Sequence, residues 1–159
     1  MKILLLTILS IAVLFISSCS DDDNGTNNNG NGGSVDLGTL QATVDGVSFK
    51  SISALGIDAG GFNITISGAN QQFHTISLTV DENEIGSTFV GLGFYQILDI
   101  NNPQNVQSWF SKNVEYTITK AENGVIEGTF SFVATNEDDN TTKTVTNGKF
   151  NVTVQNADF

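Results

Sequence analysis

The sequence lacks several residue types that common classes of functional site require. It has one cysteine, Cys19, and one histidine, His74, in 159 residues. A single cysteine excludes an intramolecular disulfide bond, and a zinc site of the usual kind needs several His or Cys ligands. We therefore expect a fold that is stabilised by packing and a chain that holds no metal of the zinc type.

Positive charge is also scarce. The chain has six lysines, no arginine and 17 acidic residues, which gives a formal net charge of −11 at pH 7. Proteins that bind DNA or RNA draw most of their affinity from Lys and Arg side chains that neutralise phosphates. The composition therefore excludes a nucleic-acid partner and favours a soluble, self-repelling surface.

Residues 1–18 have the pattern of a bacterial secretion signal. Lys2 provides a positive start, and residues 3–16 are apolar apart from Thr7 and Ser10. This length is typical of a signal core and is too short to span a bilayer securely. We expect residues 1–18 to be a lipoprotein signal peptide that is removed.

The residues that follow point to lipid attachment. Residues 16–19 (ISSC) resemble a lipobox, in which the cysteine receives diacylglycerol and palmitate and becomes the first residue. Two or more acyl chains on Cys19 would anchor the protein stably to a membrane. The next residues resemble the acidic surface-export signal of Bacteroidota lipoproteins: Ser20, Asp21, Asp22 and Asp23. Together these features predict an outer-membrane lipoprotein that faces the cell exterior and has no cofactor besides its covalent lipid.

The remaining chain divides into a tether and a domain. Residues 19–39 are rich in Asp, Asn and Gly, with few apolar side chains to repay the entropy of ordering, and are expected to be a flexible tether. Residues 40–159 show period-two alternation interrupted by turn residues, which predicts an all-β domain. The pairs Asp45-Gly46 and Asn123-Gly124 favour tight hairpin turns.

About eight or nine strands are expected in this domain. The alternation fits an antiparallel β-sandwich and an up-and-down barrel-like domain equally well. Residues 106–110 fit either a helical turn or a strand.

Three segments resemble a family of small Bacteroidota lipoproteins whose shared domain has no assigned function. They are residues 42–49 (ATVDGVSF), 128–132 (GTFSF) and 146–150 (TNGKF). The resemblance implies the β-rich fold and the export route, and it carries no catalytic residues. We interpret Gly128, Phe130 and Phe132 as packing positions.

The candidate ligand contacts are aromatic. Tyr95, Trp109 and Phe110 could stack on a sugar or anchor a protein partner, or they could cap the open end of a small core. His74 falls on the same strand face as Ile76, so a satisfied, half-buried histidine is expected. No nucleophile-elbow motif accompanies it.

Carboxylates offer a second type of candidate. Glu137, Asp138 and Asp139, and the run at residues 81–84, supply oxygen atoms of the kind that calcium prefers. Neither run has the spacing of an EF-hand loop, and a solvated turn between strands is favoured over a calcium site for both.

Three functions remain open at the level of sequence. The leading prediction is a non-catalytic binding or structural module with a glycan or protein ligand. The second is a periplasm-facing carrier of an apolar ligand, suggested by the bare strand face at Gly91 and Gly93. The third is a hydrolase acting on glycans, which would need a carboxylate pair.

Overall fold

The computed structural model describes residues 34–58, 63–81, 85–86 and 88–156. These residues form nine β-strands and no helix, which confirms the predicted all-β class. No part of the described chain is a helix long and apolar enough to cross a membrane. The strands are β1 (Thr39–Val44), β2 (Val47–Lys50), β3 (Ser53–Asp58), β4 (Ile64–Ala69), β5 (His74–Val80), β6 (Thr88–Leu98), β7 (Val106–Glu122), β8 (Val125–Thr135) and β9 (Thr142–Asn156).

Both predicted hairpin turns are present. Asp45 and Gly46 have φ angles of 48° and 83°, and Asn123 and Gly124 have φ angles of 52° and 71°. A two-residue type I′ turn needs positive φ at both positions, which Asp-Gly and Asn-Gly tolerate well. These turns set the register of β1 with β2 and of β7 with β8.

The sheet closes on itself. Its strand order is β2-β1-β9-β3-β4-β5-β6-β7-β8, and β8 also pairs with β9. Strand β9 lies between β8 on one side and β1 followed by β3 on the other. The pairing of β3 with β9 is parallel, whereas the pairings between the other named strands are antiparallel. This closed ring corresponds to the barrel-like alternative rather than to the sandwich.

Residues 106–110, which fitted either a helical turn or a strand, are strand and form the start of β7. Strand β3 has no clear alternation of large apolar residues, because its buried positions are Ala54 and Gly56. A Cβ atom on Gly56 would lie 3.1 Å from the Ile64 side chain and 3.3 Å from the Val154 side chain, so a larger residue would require small shifts of these neighbours.

The inward faces of the strands pack into one core. Its fully buried large side chains are Phe150, Leu40, Ile66, Ile76, Leu78, Ile118, Ile126, Val80, Val114, Val145 and Val152. Phe130 and Phe132 are buried in the same cluster, as predicted for packing positions. A Cβ atom on Gly128 would lie 2.5 Å from both the Phe150 ring and the Thr117 carbonyl oxygen, so this glycine permits close contact between strands.

The described chain begins at one end of the closed sheet, which we call the entry end. Ser34 Oγ donates a hydrogen bond of 2.6 Å to Glu127 near the start of β8. Asn151, in the second half of β9, donates from Nδ2 to the Val35 carbonyl oxygen at 2.9 Å, and its backbone carbonyl oxygen accepts from Gly38 N at 2.7 Å. The sequence pattern assigns residues 34–38 to the tether at 19–39, whereas these bonds hold them against the sheet. The bonds that hold residues 34–38 use polar side chains and backbone groups. An apolar sequence pattern does not reveal such bonds, so these residues were assigned to the tether.

Candidate functional site

The opposite end of the sheet, which we call the far end, carries the single histidine, the single tryptophan and several charged side chains. It is formed by the end of β1, the start of β5, the end of β6, the start of β7, the end of β8 and the start of β9. His74 is the first residue of β5, and its Nδ1 atom lies 2.7 Å from the Tyr95 hydroxyl oxygen on β6. The two rings also meet edge to face, with centroids 5.8 Å apart.

Both members of this pair favour their neutral forms. Burial lowers the pKa of His74, and the positive charge of Lys143 lowers it further. Burial also raises the pKa of Tyr95, with a smaller contribution from the negative charge of Asp45. A neutral imidazole and a protonated phenol can share this hydrogen bond in either direction, with the Tyr95 hydroxyl as donor in one imidazole tautomer and Nδ1 of His74 as donor in the other. The prediction of a half-buried, satisfied histidine agrees with this geometry.

Trp109 continues the cluster into β7. Its ring lies 5.7 Å from that of Tyr95, centroid to centroid, and its Nε1 donates a 3.0 Å hydrogen bond to Thr141 Oγ1. Tyr95 is 4% exposed and Trp109 is 5% exposed, so their ring faces are packed and are not free to stack on a ligand. Phe110 is only half-buried and contacts Phe94 on the outer face. Of the two readings of Tyr95 and Trp109, the structure matches the one in which they cap the core.

Lys143 links the cluster to the first hairpin. Its Nζ atom lies 5.3 Å from the centre of the Trp109 ring and 2.8 Å from Oδ2 of Asp45. Asp45 also accepts a 2.8 Å hydrogen bond from Thr144 N. Its hydrogen bond with Lys143 lowers the pKa of the carboxyl group, and the bond from Thr144 lowers it further. The β1–β2 turn is therefore tied to β9, a contact that the sequence analysis did not predict.

The acidic run considered for calcium is used to build a turn. Asp139 Oδ1 accepts from Thr141 N at 2.9 Å and from Thr141 Oγ1 at 2.7 Å, and these bonds lower the pKa of Asp139. Asn136 Oδ1 accepts from Asp138 N in the same loop. Within the described ranges, no three His, Cys, Asp or Glu side chains are grouped closely enough to hold a metal ion. Residues 82–84 of the other acidic run lie outside the described residues.

Apolar side chains form an exposed rim around the far end. Phe73 is exposed and has a φ angle of 60°, and its carbonyl oxygen accepts from Leu98 N at 3.1 Å. Leu98 pairs across the strands with Val106, and Ile100 follows in the connecting turn. These four side chains (Phe73, Leu98, Ile100 and Val106), which we call the apolar rim, are each more than a third exposed. The sequence analysis did not single them out, because apolar residues at strand ends look like core residues.

The glycine face that suggested a carrier is filled by neighbouring strands. A Cβ atom on Gly91 would collide with the Thr79 carbonyl oxygen and lie 3.2 Å from the Tyr116 ring. One on Gly93 would collide with the Val114 side chain. These glycines therefore mark close packing, and the face on which they lie is not the wall of an empty chamber.

A shallow groove runs over the outer face of β7, β8 and β9. It has a volume of about 390 Å³, and its lining includes Thr88, Glu115, Thr129, Ser131 and Lys149. The groove lies beside a bulge in β9, where Asn147 has a φ angle of 52° and the registers with β1 and β8 both shift. Its hydroxyl-rich lining could form hydrogen bonds with a polar ligand.

The predicted lipidation site Cys19 and the export-like residues (Ser20, Asp21, Asp22 and Asp23) lie outside the described residues. No curated protein and no solved structure is significantly similar to the chain. A family model described as "Domain of unknown function (DUF6252)" matches residues 37–153, which is most of the described sheet. The chain therefore belongs to the DUF6252 family, a family defined by a domain of unknown function.

Proposed function

We propose that this protein is a lipid-anchored, non-catalytic binding module of a bacterial outer membrane, and that its far end contacts a protein partner. The main support for this proposal is that the chain entry and the apolar rim lie at opposite ends of the sheet. The described chain enters at the end held by Ser34 and Asn151, whereas the apolar rim lies at the other end. Cys19 precedes Ser34 by 15 residues, so an anchor at Cys19 would connect to the sheet through its entry end.

The chemistry of the rim favours a protein partner over a glycan. Phe73, Leu98, Ile100 and Val106 expose aliphatic and aromatic carbon, which gains from burial against other apolar groups. Sugar ligands need stacking faces and hydrogen-bonding groups, and the Tyr95 and Trp109 rings are packed inside. The polar groups nearby are already engaged, since His74 pairs with Tyr95 and Asp45 pairs with Lys143.

The structural use of these polar groups also supports a non-catalytic role. The single histidine has its Nδ1 bonded to Tyr95, and Asp139 caps its own turn. The hydrogen bonds of His74 and Asp45 connect neighbouring strands.

The test of the binding surface uses a photoreactive amino acid at two matched positions. Ile100 at the far end is 56% exposed, and Leu37 near the entry end is 58% exposed. Each full-length variant is irradiated in intact cells of the native host. An adduct with another protein at position 100 and none at position 37 is the expected result. Adducts of equal yield at both positions, or no adduct at position 100, would contradict the proposal.

Anchoring and orientation are tested separately. Replacing Cys19 with Ser should move the protein from the membrane fraction to the soluble fraction and abolish incorporation of a labelled fatty acid. A protease too large to cross the outer membrane should remove the domain from intact cells while a periplasmic control protein survives. Survival of the domain until lysis, with the purified domain cleavable, would place it on the periplasmic side.

A further inference from the structure

Phe73 is the exception among the residues that have a left-handed backbone. Nine of the described residues have positive φ angles, and eight of them are glycine, asparagine or aspartate. These residue types adopt the left-handed conformation at low cost, whereas a bulky side chain clashes with its own backbone there. Phe73, with a φ angle of 60°, is the one bulky residue of this set. The turn between β4 and β5 therefore stores backbone strain at Phe73.

Hydrogen bonds on both sides of Phe73 hold this strained conformation. Asn70 Oδ1 accepts from Gln72 N at 2.9 Å and from His74 N at 3.0 Å. Phe73 N donates to the Asn70 carbonyl oxygen at 3.1 Å, and the Phe73 carbonyl oxygen accepts from Leu98 N at 3.1 Å. The neighbouring residues thus fix the backbone at Phe73, and with it the direction in which the side chain leaves the turn.

Neither the turn nor the core accounts for an aromatic side chain at this position. Phe73 is 47% exposed, and it belongs neither to the buried core cluster nor to the half-buried apolar residues that pack against that cluster. A glycine or an asparagine would form the same turn with less strain. Strained residues of this kind are concentrated at sites that contact a ligand.

We infer that Phe73 is the anchor residue of the far end, and that its ring enters an apolar pocket of the protein partner. This inference rests on the proposed function and names the residue on which that contact depends. An aromatic ring buries a large apolar area, and a few such anchors supply most of the binding energy of an interface. Because the backbone at Phe73 is fixed before binding, little conformational entropy is lost when the partner docks.

The turns of the far end indicate what surrounds the partner's pocket. The β1–β2, β6–β7 and β8–β9 turns contain no lysine and five acidic residues: Asp45, Asp99, Glu137, Asp138 and Asp139. Lys143 on β9 neutralises one of them through its ion pair with Asp45. An apolar anchor bordered by negative charge is complementary to an apolar pocket bordered by Lys or Arg side chains. We therefore expect the partner to present a basic contact face.

The test measures the photochemical adduct at position 100 in full-length chains that also carry a change in the apolar rim. Phe73→Ala and Phe73→Gly both remove the ring, and each should lower the yield about tenfold or more in intact cells of the native host. Phe73→Tyr keeps an aromatic ring and should retain most of the yield. Val106→Ala is the matched control, because Val106 is also 47% exposed but lies in β7, and it should lower the yield by about threefold or less.

The strain is measured separately on the purified variants. Phe73→Gly relieves the left-handed backbone and Phe73→Ala does not, so the glycine variant should melt about 3 °C or more above the alanine variant. The same comparison separates misfolding from loss of contact. A glycine variant that is stably folded and gives no adduct has lost only the ring.

The basic face of the partner is tested with salt. In membranes isolated from the native host, the yield of adduct at position 100 should fall in concentrated sodium chloride, because salt screens the attraction between exposed charges. A yield that does not change with salt would overturn the expected basic face.

The role of Phe73 is overturned if Phe73→Gly retains the yield of adduct, if Val106→Ala lowers it as much as Phe73→Ala does, or if the glycine and alanine variants melt at the same temperature. An adduct that persists in Phe73→Gly would remove the role of Phe73 and leave the proposed function in place. No adduct at position 100 in the chain that retains Phe73 would overturn the proposed function, and the role of Phe73 with it.

Discussion

The Tyr95 hydroxyl oxygen lies 2.7 Å from Nδ1 of His74, although the two residues are 21 positions apart in the chain. The bond joins the start of β5 to β6 at the far end of the sheet. It is also the contact that gives this protein a pH-sensitive position, because His74 is the sole histidine.

We expect His74 to titrate below the ordinary histidine pKa of about 6.5. Burial and the charge of Lys143 both disfavour the imidazolium form. The sole histidine gives one set of ring signals in a proton NMR titration, so the value can be read directly. Lys143→Gln should move the pKa of His74 upward, and a value at or above the ordinary one in the unaltered protein would contradict the burial of this ring and its proximity to Lys143.

The same shift should appear in the stability of the protein. The unfolded chain binds a proton at His74 at a higher pH than the folded chain does, so the free energy of unfolding should fall as pH drops through the ordinary histidine range. His74→Gln removes this group, and its urea unfolding curve should lose that component of the pH dependence. Identical pH profiles for the two proteins would show that the shift is negligible.

Asp45 should make the opposite contribution. Its pKa is lowered by Lys143 and Thr144, so its stabilisation should be present above the ordinary Asp pKa of about 3.9 and should be lost as pH falls through the lowered value. Asp45→Asn retains a residue that tolerates positive φ and should cost about 1 kcal/mol or less at neutral pH, as expected for an exposed ion pair. Urea unfolding at neutral and strongly acidic pH checks this. An equal loss of unfolding free energy at the two pH values would show that the substitution acts through the turn and not through the charge of Asp45.

Gly128→Ala should destabilise the closed sheet. The new methyl group would lie 2.5 Å from the Thr117 carbonyl oxygen and the Phe150 ring, and a backbone oxygen in a strand cannot move aside easily. The expected loss in the free energy of unfolding is about 1–3 kcal/mol, which is typical of overpacking. Thr129→Ala, at the next and exposed position, is the matched control and should change stability by about 0.5 kcal/mol or less. A stable Gly128→Ala protein would contradict the packing described for β7, β8 and β9.

Trp109 provides an optical test of the far end. It is the sole tryptophan and is 5% exposed, so emission from the folded protein should be blue-shifted and poorly quenched by iodide. Unfolding in urea should shift the emission to the red and expose the ring to quenching. Red-shifted, easily quenched emission from the folded protein would favour the reading in which Trp109 is an exposed ligand contact.

The sequence by itself determined the local parts of this protein. Alternation identified most of the strands, because a strand that faces a core on one side must place an apolar side chain at every second residue. The pairs Asp45-Gly46 and Asn123-Gly124 located two tight turns, because their residues accept positive φ. The absence of arginine argues against a nucleic-acid partner, and the scarcity of histidine and cysteine argues against a zinc site.

Only the tertiary structure decided the long-range parts. Closure of the sheet depends on β9 pairing with β1, β3 and β8, and strand β3 is held by neighbours rather than by its own pattern. Asp45 meets Lys143 across 98 positions, and the apolar rim brings Phe73 beside Leu98 and Val106, which come from later strands. Such relationships follow from strand register and sheet closure, which depend on all the strands at once, so no local pattern carries them.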